Sequence, residues 1–400
     1  MSATETTPIT SNSALRNING VDRLSNLCDE LLHHIMSFLP MPEVVRTSLL
    51  SPRWHNLWAS TPFIYIDYQD FKVEDDCWYV DQDKLEKFGD HLLLLRDGDV
   101  CLDEARIYIT SGGWIESCVW IHWAIKHKVR LLHVSGFDHY PWIEFFPSQN
   151  LKLIRLQYLG LSHDFFMPLN HECPVLEQLE LEDCILGDVE ISSRSLKVLR
   201  MVRCLNMHGL LICARNLKRL SILEPACDAA IVTKDLSSLV IAPVIVIPFE
   251  LHREYSGTIV GGHRLLDGLS HASTLELHAP LHELALERSL QTCPMFSNLT
   301  SLVLGDWCMA ADLYPLLHIL HRSPNLKELS VKLEMKECYF CTDHESALLS
   351  SGATSSATGS YPSLDRIKIC CRKDDPRVGA LVQALLPIII PEGKICIQRC

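Results

Sequence analysis

The chain has 400 residues, of which 48% are hydrophobic and 21% are charged, a composition typical of folded globular proteins. Its formal net charge of −13 argues against binding nucleic acids or anionic membranes by bulk charge. No apolar run reaches the ~20 residues that a membrane span needs, and no secretory signal opens the chain. We therefore expect a protein of the cytoplasm, the nucleus or both, whose 17 cysteines stay reduced.

Residues 1–19 are rich in Ser, Thr and Asn and are predicted to form a disordered leader. Residues 20–60 instead indicate a module of three helices. The first has apolar side chains at steps of three and four residues and ends at Pro40. Pro42 opens the second helix, and Ser51-Pro52 is a start signal for the third. The third helix is predicted to place three apolar side chains on one face: Trp54, Leu57 and Trp58.

Residues 61–100 are predicted to be an acidic linker or cap. Between 67 and 104, thirteen acidic residues face four basic ones, so most of the chain's charge imbalance lies there. Leu92–Leu95 indicates a helix within this segment, and a further helix is expected around Trp114–Lys126.

The pattern L-x-x-L-x-L recurs through residues 101–400, and its first clear copies are separated by 19 to 25 residues. This spacing is typical of leucine-rich repeats, in which each strand and its return segment pack on the next repeat. We predict an α/β fold: the helical module, then an irregular solenoid with a parallel sheet and a flexible insertion at 342–360. The first five copies are Leu151/Ile154/Leu156, Leu176/Leu179/Leu181, Leu196/Leu199/Met201, Leu217/Leu220/Ile222 and Leu236/Leu239/Ile241.

Two groups of cysteines need separate interpretations. Cys184 and Cys204 each follow the last apolar position of a repeat by three residues, where a small buried side chain supports the turn. Cys338 and Cys341, with His344 nearby, have two thiols at a spacing that zinc accepts. No second C-x-x-C pair accompanies them, so we predict neither a metal nor another cofactor.

No catalytic motif is convincing. The sequence lacks G-x-S-x-G, a P-loop and H-E-x-x-H, and 257–262 lacks the Lys-Ser/Thr that would reach a phosphate. We therefore expect a non-catalytic protein.

The segment Asp22–Leu32, continued through Ile35–Pro40, 44–48 and Ser51–Trp58, resembles an F-box. With the repeats behind it, the chain resembles the plant F-box/leucine-rich-repeat proteins. The resemblance implies a substrate-recognition subunit of an SCF-type (Skp–cullin–F-box) ubiquitin ligase. In that family the F-box binds the Skp-type adaptor, and through it the cullin, while the repeats hold a protein substrate. Alternatives are a non-degradative interaction scaffold with a degenerate F-box and a small-molecule-sensing F-box receptor.

The resemblance also suggests which residues face the adaptor, although half of them could fill the module's own core. One departure is Cys28, where the family usually has proline; this could weaken adaptor binding. Ser51-Pro52 replaces the commoner Ser-Arg. The implied adaptor-binding residues are Leu24, Leu27, Leu31, Leu32, Ile35, Phe38, Leu39, Pro40, Val45, Leu50, Trp54 and Trp58.

Seven basic residues and no acidic one lie between Ile191 and Leu223. One interpretation is cross-strand pairing of this basic segment with the acidic strand before it, which stabilises the sheet modestly. The other is a basic patch on the exposed concave face that binds an acidic or phosphorylated substrate segment. The candidate substrate-binding residues are Lys197, Arg200, Lys218 and Arg219.

Overall fold

The computed structural model describes residues 23–73, 80–109, 114–136, 140–224, 226–227, 231–245, 265–279, 290, 293–333 and 364–399. The predicted leader at 1–19 and insertion at 342–360 lie outside these residues, as do Cys338, Cys341 and His344. The chain divides into two compact units, Met1–Thr61 and Pro62–Cys400.

The N-terminal unit contains helices α1 (Asp29–Met36) and α2 (Met41–Arg46), followed by a 3₁₀ helix at Thr47–Leu49. Asp29 and Glu30 in the first turn of α1, and two histidines in its last turn, match the polarity of the helix dipole. The unit packs around a small apolar core. Its buried apolar residues are Leu32, Met36, Met41, Val44, Trp54 and Leu57.

The predicted third helix is wrong in form. Ser51-Pro52 begins a series of turns, and only Leu57–Ser60 is helical, as a short 3₁₀ helix. Long-range hydrogen bonds position this segment: the Trp54 indole N–H donates to Ser25 Oγ at 3.0 Å, and His33 Nε2 lies 3.2 Å from the Leu57 carbonyl. These contacts to the rest of the unit compete with a regular helix, which explains why local capping signals were insufficient.

Cys28 occupies the residue before α1 in the conformation that proline would adopt. Its φ is −70° and its ψ is 161°, and the pyrrolidine ring locks φ near −65°. The Cys28 carbonyl accepts a hydrogen bond from the Leu32 N–H at 3.1 Å, which proline would preserve. The cysteine therefore leaves the entry to the helix in the geometry that the usual proline favours.

In the second unit, helices connect strands toward both ends, whereas strands follow one another without a helix among the described residues of 178–245. Its helices are α3 (Gln82–Leu95), α4 (Trp114–Lys126), α5 (His163–Phe166), α6 (Leu169–Glu172), α7 (Leu265–Gly268), α8 (Ala310–His321) and α9 (Arg377–Leu385), with 3₁₀ turns at Tyr68–Phe71 and Asp306–Met309. Its strands are β1 (Phe63–Ile66), β2 (Glu104–Ile109), β3 (Leu131–Gly136), β4 (Leu153–Gln157), β5 (Gly160–Leu161), β6 (Gln178–Glu182), β7 (Ile185–Ser192), β8 (Val198–Val202), β9 (Leu205–Cys213), β10 (Arg219–Leu223), β11 (Ala226–Cys227), β12 (Ile231–Lys234), β13 (Ile241–Ile245), β14 (Thr274–His278), β15 (Ser301–Leu304), β16 (Glu328–Leu333), β17 (Leu364–Cys371) and β18 (Ile389–Arg399).

Thirteen of these strands form one parallel sheet in the order β1-β2-β3-β4-β6-β8-β10-β13-β14-β15-β16-β17-β18. A smaller parallel sheet has the order β11-β9-β7-β5, with β12 paired to β9. Its strands are the second segments of the middle repeats. The repeated apolar positions of the long sheet are buried, as in Leu179, Leu199 and Leu220. The predicted α/β fold, a helical module followed by a long parallel sheet, is confirmed.

The sheet begins earlier than predicted. β1 lies within the segment 61–100, which was expected to be an acidic linker or cap, and pairs in register with β2 through Phe63↔Glu104 and Ile66↔Ile107. Its four residues contain no leucine, so the repeat pattern missed it. The predicted helix at Leu92–Leu95 is confirmed as the end of α3.

The fifth repeat is in a different register from the predicted one. Arg219 pairs with Ile241 and Ile222 pairs with Val244, so Leu239/Ala242/Val244 are the equivalents of Leu217/Leu220/Ile222. The predicted set Leu236/Leu239/Ile241 lies three residues too early. Both sets satisfy an apolar pattern, and strand pairing rather than leucine spacing decides between them.

The turn after each middle strand repeats with the same backbone geometry. Tyr158, Asp183, Arg203 and Glu224 stand at equivalent positions and have positive φ angles between 48° and 53°. In two of these repeats the next residue is a buried cysteine whose thiol donates to backbone carbonyls. Cys184 Sγ lies 3.4 Å from the Leu156 oxygen, and Cys204 Sγ lies 3.5 Å from the Leu181 oxygen. The predicted structural role of these two cysteines is confirmed.

Replacing Cys28 with proline should stabilise the chain. Because the residue already has a proline-compatible φ, Cys28→Pro mainly restricts the unfolded chain and should raise the free energy of unfolding by about 0.5–1 kcal/mol. Urea denaturation measures the change, and Cys28→Ala is the matched control, expected to stay within about 0.5 kcal/mol of the original. A destabilised Cys28→Pro variant would contradict the geometry given for this position.

The cysteines should differ widely in their reaction with iodoacetamide. Burial raises the pKa of Cys293 and Cys308 to about 12 each, and only the thiolate reacts. We expect exposed Cys28, Cys101 and Cys396 to be modified first and Cys308 at least about 100-fold more slowly, since it must wait for local opening. Peptide mass spectrometry over a time course measures the order. Native-state labelling of Cys308 as fast as Cys101 would show that its site is open.

Candidate functional site

An exposed apolar surface is the main chemical feature of the N-terminal unit. Helix α1 has apolar side chains on two sides: Leu32 and Met36 are fully buried, whereas Leu31 and Ile35 are 50% and 38% exposed. Phe38 is 75% exposed. Large apolar side chains this accessible favour a protein-binding surface. The exposed large apolar side chains of the unit, together called the apolar face below, are Leu24, Leu31, Ile35, Phe38, Leu39, Leu49 and Leu50.

The structure separates the residues that were predicted to face an adaptor. Leu32 and Trp54 lie in the core of the unit, the alternative that the sequence left open for half of these residues. Leu49, which was not predicted, is 85% exposed beside Leu50. The sequence feature that could have identified it is the pair Leu49-Leu50 at the end of the predicted second helix. Of the remaining predicted residues, Leu27, Val45 and Trp58 are half-buried, whereas Leu24, Leu31, Ile35, Phe38, Leu39, Pro40 and Leu50 are exposed.

Part of the basic segment between Ile191 and Leu223 is used inside the structure. Arg203 forms ion pairs with Glu182 at 2.8 Å and Asp183 at 2.6 Å, and Arg215 pairs with Asp235 at 3.0 Å. Partial burial alone would raise the pKa of Glu182. Hydrogen bonds from Gln157 and Arg203 have the larger combined effect, so the pKa is lowered. Cross-strand pairing therefore accounts for some of these bases.

In the sheet register Arg200 lies between Glu180 on one neighbouring strand and Ser221 on the other. Glu180, however, is almost completely buried and pairs with Arg155 on its other side at 2.7 Å. Among the residues that the structure describes, Arg200, Lys218 and Arg219 form no ion pair. The acidic strand before the basic segment thus directs Glu180 to Arg155 and not to Arg200.

A groove runs along the edge of the long sheet where strands β4, β6, β8 and β10 begin, with a volume of about 590 Å³. It contains two of the four predicted substrate-binding residues, Lys197 and Lys218, but neither Arg200 nor Arg219. Two further cations, Lys152 and Arg194, were not predicted. Lys152 could have been found from the repeat pattern, because like Lys197 and Lys218 it immediately precedes its strand. The lining residues, called the basic groove below, are Lys152, Pro174, Val175, Glu177, Arg194, Ser195, Lys197, Asn216, Lys218 and Ser238.

The cations of the basic groove outnumber its single carboxylate. Glu177 Oε1 accepts a hydrogen bond from Lys197 Nζ at 2.7 Å, and this bond lowers the pKa of Glu177. Lys152, Arg194 and Lys218 form no ion pair within the described part of the chain. The groove therefore has an uncompensated positive charge in a chain whose net charge is −13.

The described ranges contain neither a metal-binding cluster nor a membrane-spanning helix. No group of three or more His, Cys, Asp or Glu side chains there is arranged to hold a metal ion. No helix in those ranges is long and apolar enough to cross a bilayer.

Comparison with known proteins supports both units. Residues 24–65 match the F-box domain family. An F-box/FBD/LRR-repeat protein of Arabidopsis thaliana is 27% identical over 358 residues, which is 78% of this chain and 77% of that protein. The MEIOTIC F-BOX protein MOF of Oryza sativa subsp. japonica is 27% identical over 380 residues, which is 86% of this chain and 80% of that protein.

A shorter match links the chain to a third relative. An F-box/LRR-repeat protein of Arabidopsis thaliana is 29% identical over 198 residues, which is 42% of this chain and 40% of that protein. The predicted resemblance is thereby confirmed over most of the chain. The chain has an N-terminal F-box domain and is similar over most of its length to the plant F-box/FBD/LRR-repeat proteins.

Proposed function

We propose that the chain is the substrate-recognition subunit of an SCF-type ubiquitin ligase. The F-box match implies a Skp-type adaptor as its partner, and the apolar face supplies the surface that such docking needs. The exposed Phe38, Leu49 and Leu50 provide large side chains that a partner would bury, each with about 1.5–3 kcal/mol of transfer free energy. The observation that carries the proposal is this apolar face within the F-box match.

The repeat unit supplies the second half of the proposed role. A long parallel sheet whose buried apolar positions recur strand after strand offers an extended binding surface for a protein. The chain itself would be non-catalytic, with the ubiquitin chemistry performed by other subunits reached through the adaptor and the cullin. Such a role places the protein in the cytoplasm, the nucleus or both.

Removal of exposed apolar side chains should weaken adaptor binding without unfolding the unit. In Phe38→Ala/Leu50→Ala the two side chains are 75% and 63% exposed, so their loss costs little core packing. We expect affinity for a purified Skp-type adaptor to fall at least about 10-fold, as measured by calorimetry and co-purification. Leu94→Ala is the matched control, since Leu94 is 78% exposed on α3, outside the F-box match, and should leave affinity unchanged.

Two outcomes would contradict this proposal. Full adaptor affinity in the double variant would exclude the apolar face as the docking surface. Absence of binding by the unaltered chain at micromolar concentration would instead favour the non-degradative scaffold with a degenerate F-box. Leu32→Ala is unsuitable as a test, because Leu32 is fully buried and its loss should cost about 2–5 kcal/mol of stability.

A further inference from the structure

The basic groove has features of a binding site for an extended chain. Lys152, Glu177, Lys197 and Lys218 occupy the same position in four successive repeats, and each immediately precedes its strand. Backbone hydrogen bonds join them in series: the Glu177 N–H donates to the Lys152 carbonyl at 2.9 Å, and the Lys218 N–H donates to the Lys197 carbonyl at 2.8 Å. Their spacing is therefore that of paired strands, about 4.8 Å, and the row spans about 14 Å.

The excess positive charge of the row ends on both sides of the groove. In the two preceding repeats the equivalent residues, Asp103 and Arg130, form an ion pair with each other at 3.2 Å. In the next three repeats the equivalent residues are Val240, Ser273 and Thr300, none of which carries a charge. Positive charge returns at Lys327, one repeat later and outside the groove. The cations thus form a bounded cluster rather than a uniformly solvated basic edge.

Glu177 shows which chemical group these lysines bind. It stands between Lys152 and Lys197, and both cations help to lower its pKa, with the hydrogen bond from Lys197 contributing most. A carboxylate on this row is therefore held by the lysines beside it. Pro174 and Val175 add apolar surface to the same groove, and Val175 is 39% exposed.

We propose that the basic groove binds an extended, carboxylate-rich segment of a protein substrate, with an apolar side chain against Pro174 and Val175. An extended peptide advances about 3.4 Å per residue, so a run of four or five Asp and Glu residues covers the row. This inference rests on the proposed function, since it assigns the substrate class of the repeat unit. It also revises the basic patch predicted from the sequence, because Lys152 and Arg194 replace Arg200 and Arg219.

The test uses the full chain bound to its Skp-type adaptor and a fluorescein-labelled peptide with about five consecutive Asp and Glu residues followed by leucine. Fluorescence anisotropy gives its dissociation constant. We expect Lys152→Glu/Lys218→Glu to raise that constant at least about 10-fold, because two attractive charges become repulsive. Glu177→Gln should lower it about 2- to 5-fold, since it frees Lys197 and removes a competing carboxylate.

Lys327→Glu is the matched control. Lys327 is an exposed lysine that also immediately precedes its strand, but it lies outside the groove, so its reversal should change the dissociation constant less than about 2-fold. Equal weakening by Lys327→Glu and by the double variant would overturn the proposal, because bulk charge alone would then explain binding. Equal affinity for a Gln/Ser version of the peptide would also overturn it.

Two further probes separate other anionic ligands. If a neutral peptide with one phosphoserine binds and the carboxylate peptide does not, the carboxylate assignment is wrong. Binding of a single-stranded oligonucleotide as tightly as the peptide would overturn the assignment to a protein segment. Adaptor co-purification of every groove variant keeps the two proposals apart: peptide binding lost with adaptor binding retained concerns the groove alone, whereas failure of the unaltered chain to bind adaptor concerns the F-box.

Discussion

Each strand of the long sheet receives backbone hydrogen bonds from the strand that follows it, and this pairing places equivalent residues of successive repeats side by side. Leu179, Leu199 and Leu220 thereby become neighbours in the core although about twenty residues separate them along the chain. The same pairing aligns Lys152, Lys197 and Lys218 along one edge. Core and candidate site thus depend on one register, and a slip of a single residue would move every leucine off the buried face.

The F-box unit is organised in a different way. In α1, Leu32 and Met36 face the unit's own core while Leu31 and Ile35 face outward, so the helix is apolar on both sides. A unit of about forty residues can bury only part of its apolar surface, and the remainder stays accessible. Its small size therefore limits its stability and also leaves apolar side chains exposed for a partner to cover.

Much of the repeat architecture could be predicted because leucine spacing is a direct consequence of strand stacking. The repeats around Leu151, Leu176, Leu196 and Leu217 were predicted in their observed register. The fifth repeat was misplaced because Leu236/Leu239/Ile241 fits the apolar pattern as well as Leu239/Ala242/Val244 does, and only pairing with β10 distinguishes the two sets.

The candidate sites were harder to predict, since they depend on which neighbour a side chain contacts. Whether Leu31 or Leu32 is exposed cannot be derived from a helix that is apolar on two faces. Glu180 lies beside Arg200 in the sheet, yet its carboxylate pairs with Arg155 on the opposite side. Adjacency in the sheet follows from the repeat, whereas the choice of ion-pair partner follows from side-chain packing.

The residues that immediately precede strands β4, β6, β8 and β10 form a row with a regular spacing. Strands recur every ~4.8 Å, whereas an extended chain lying across them advances ~3.4 Å per residue, so three strand steps nearly equal four residues. Lys152 and Lys218 are three strand steps apart. Acidic residues four positions apart in an extended segment therefore reach both lysines at once, whereas other intervals do not. Insertion of one repeat between them would change which intervals coincide while leaving both lysines in place.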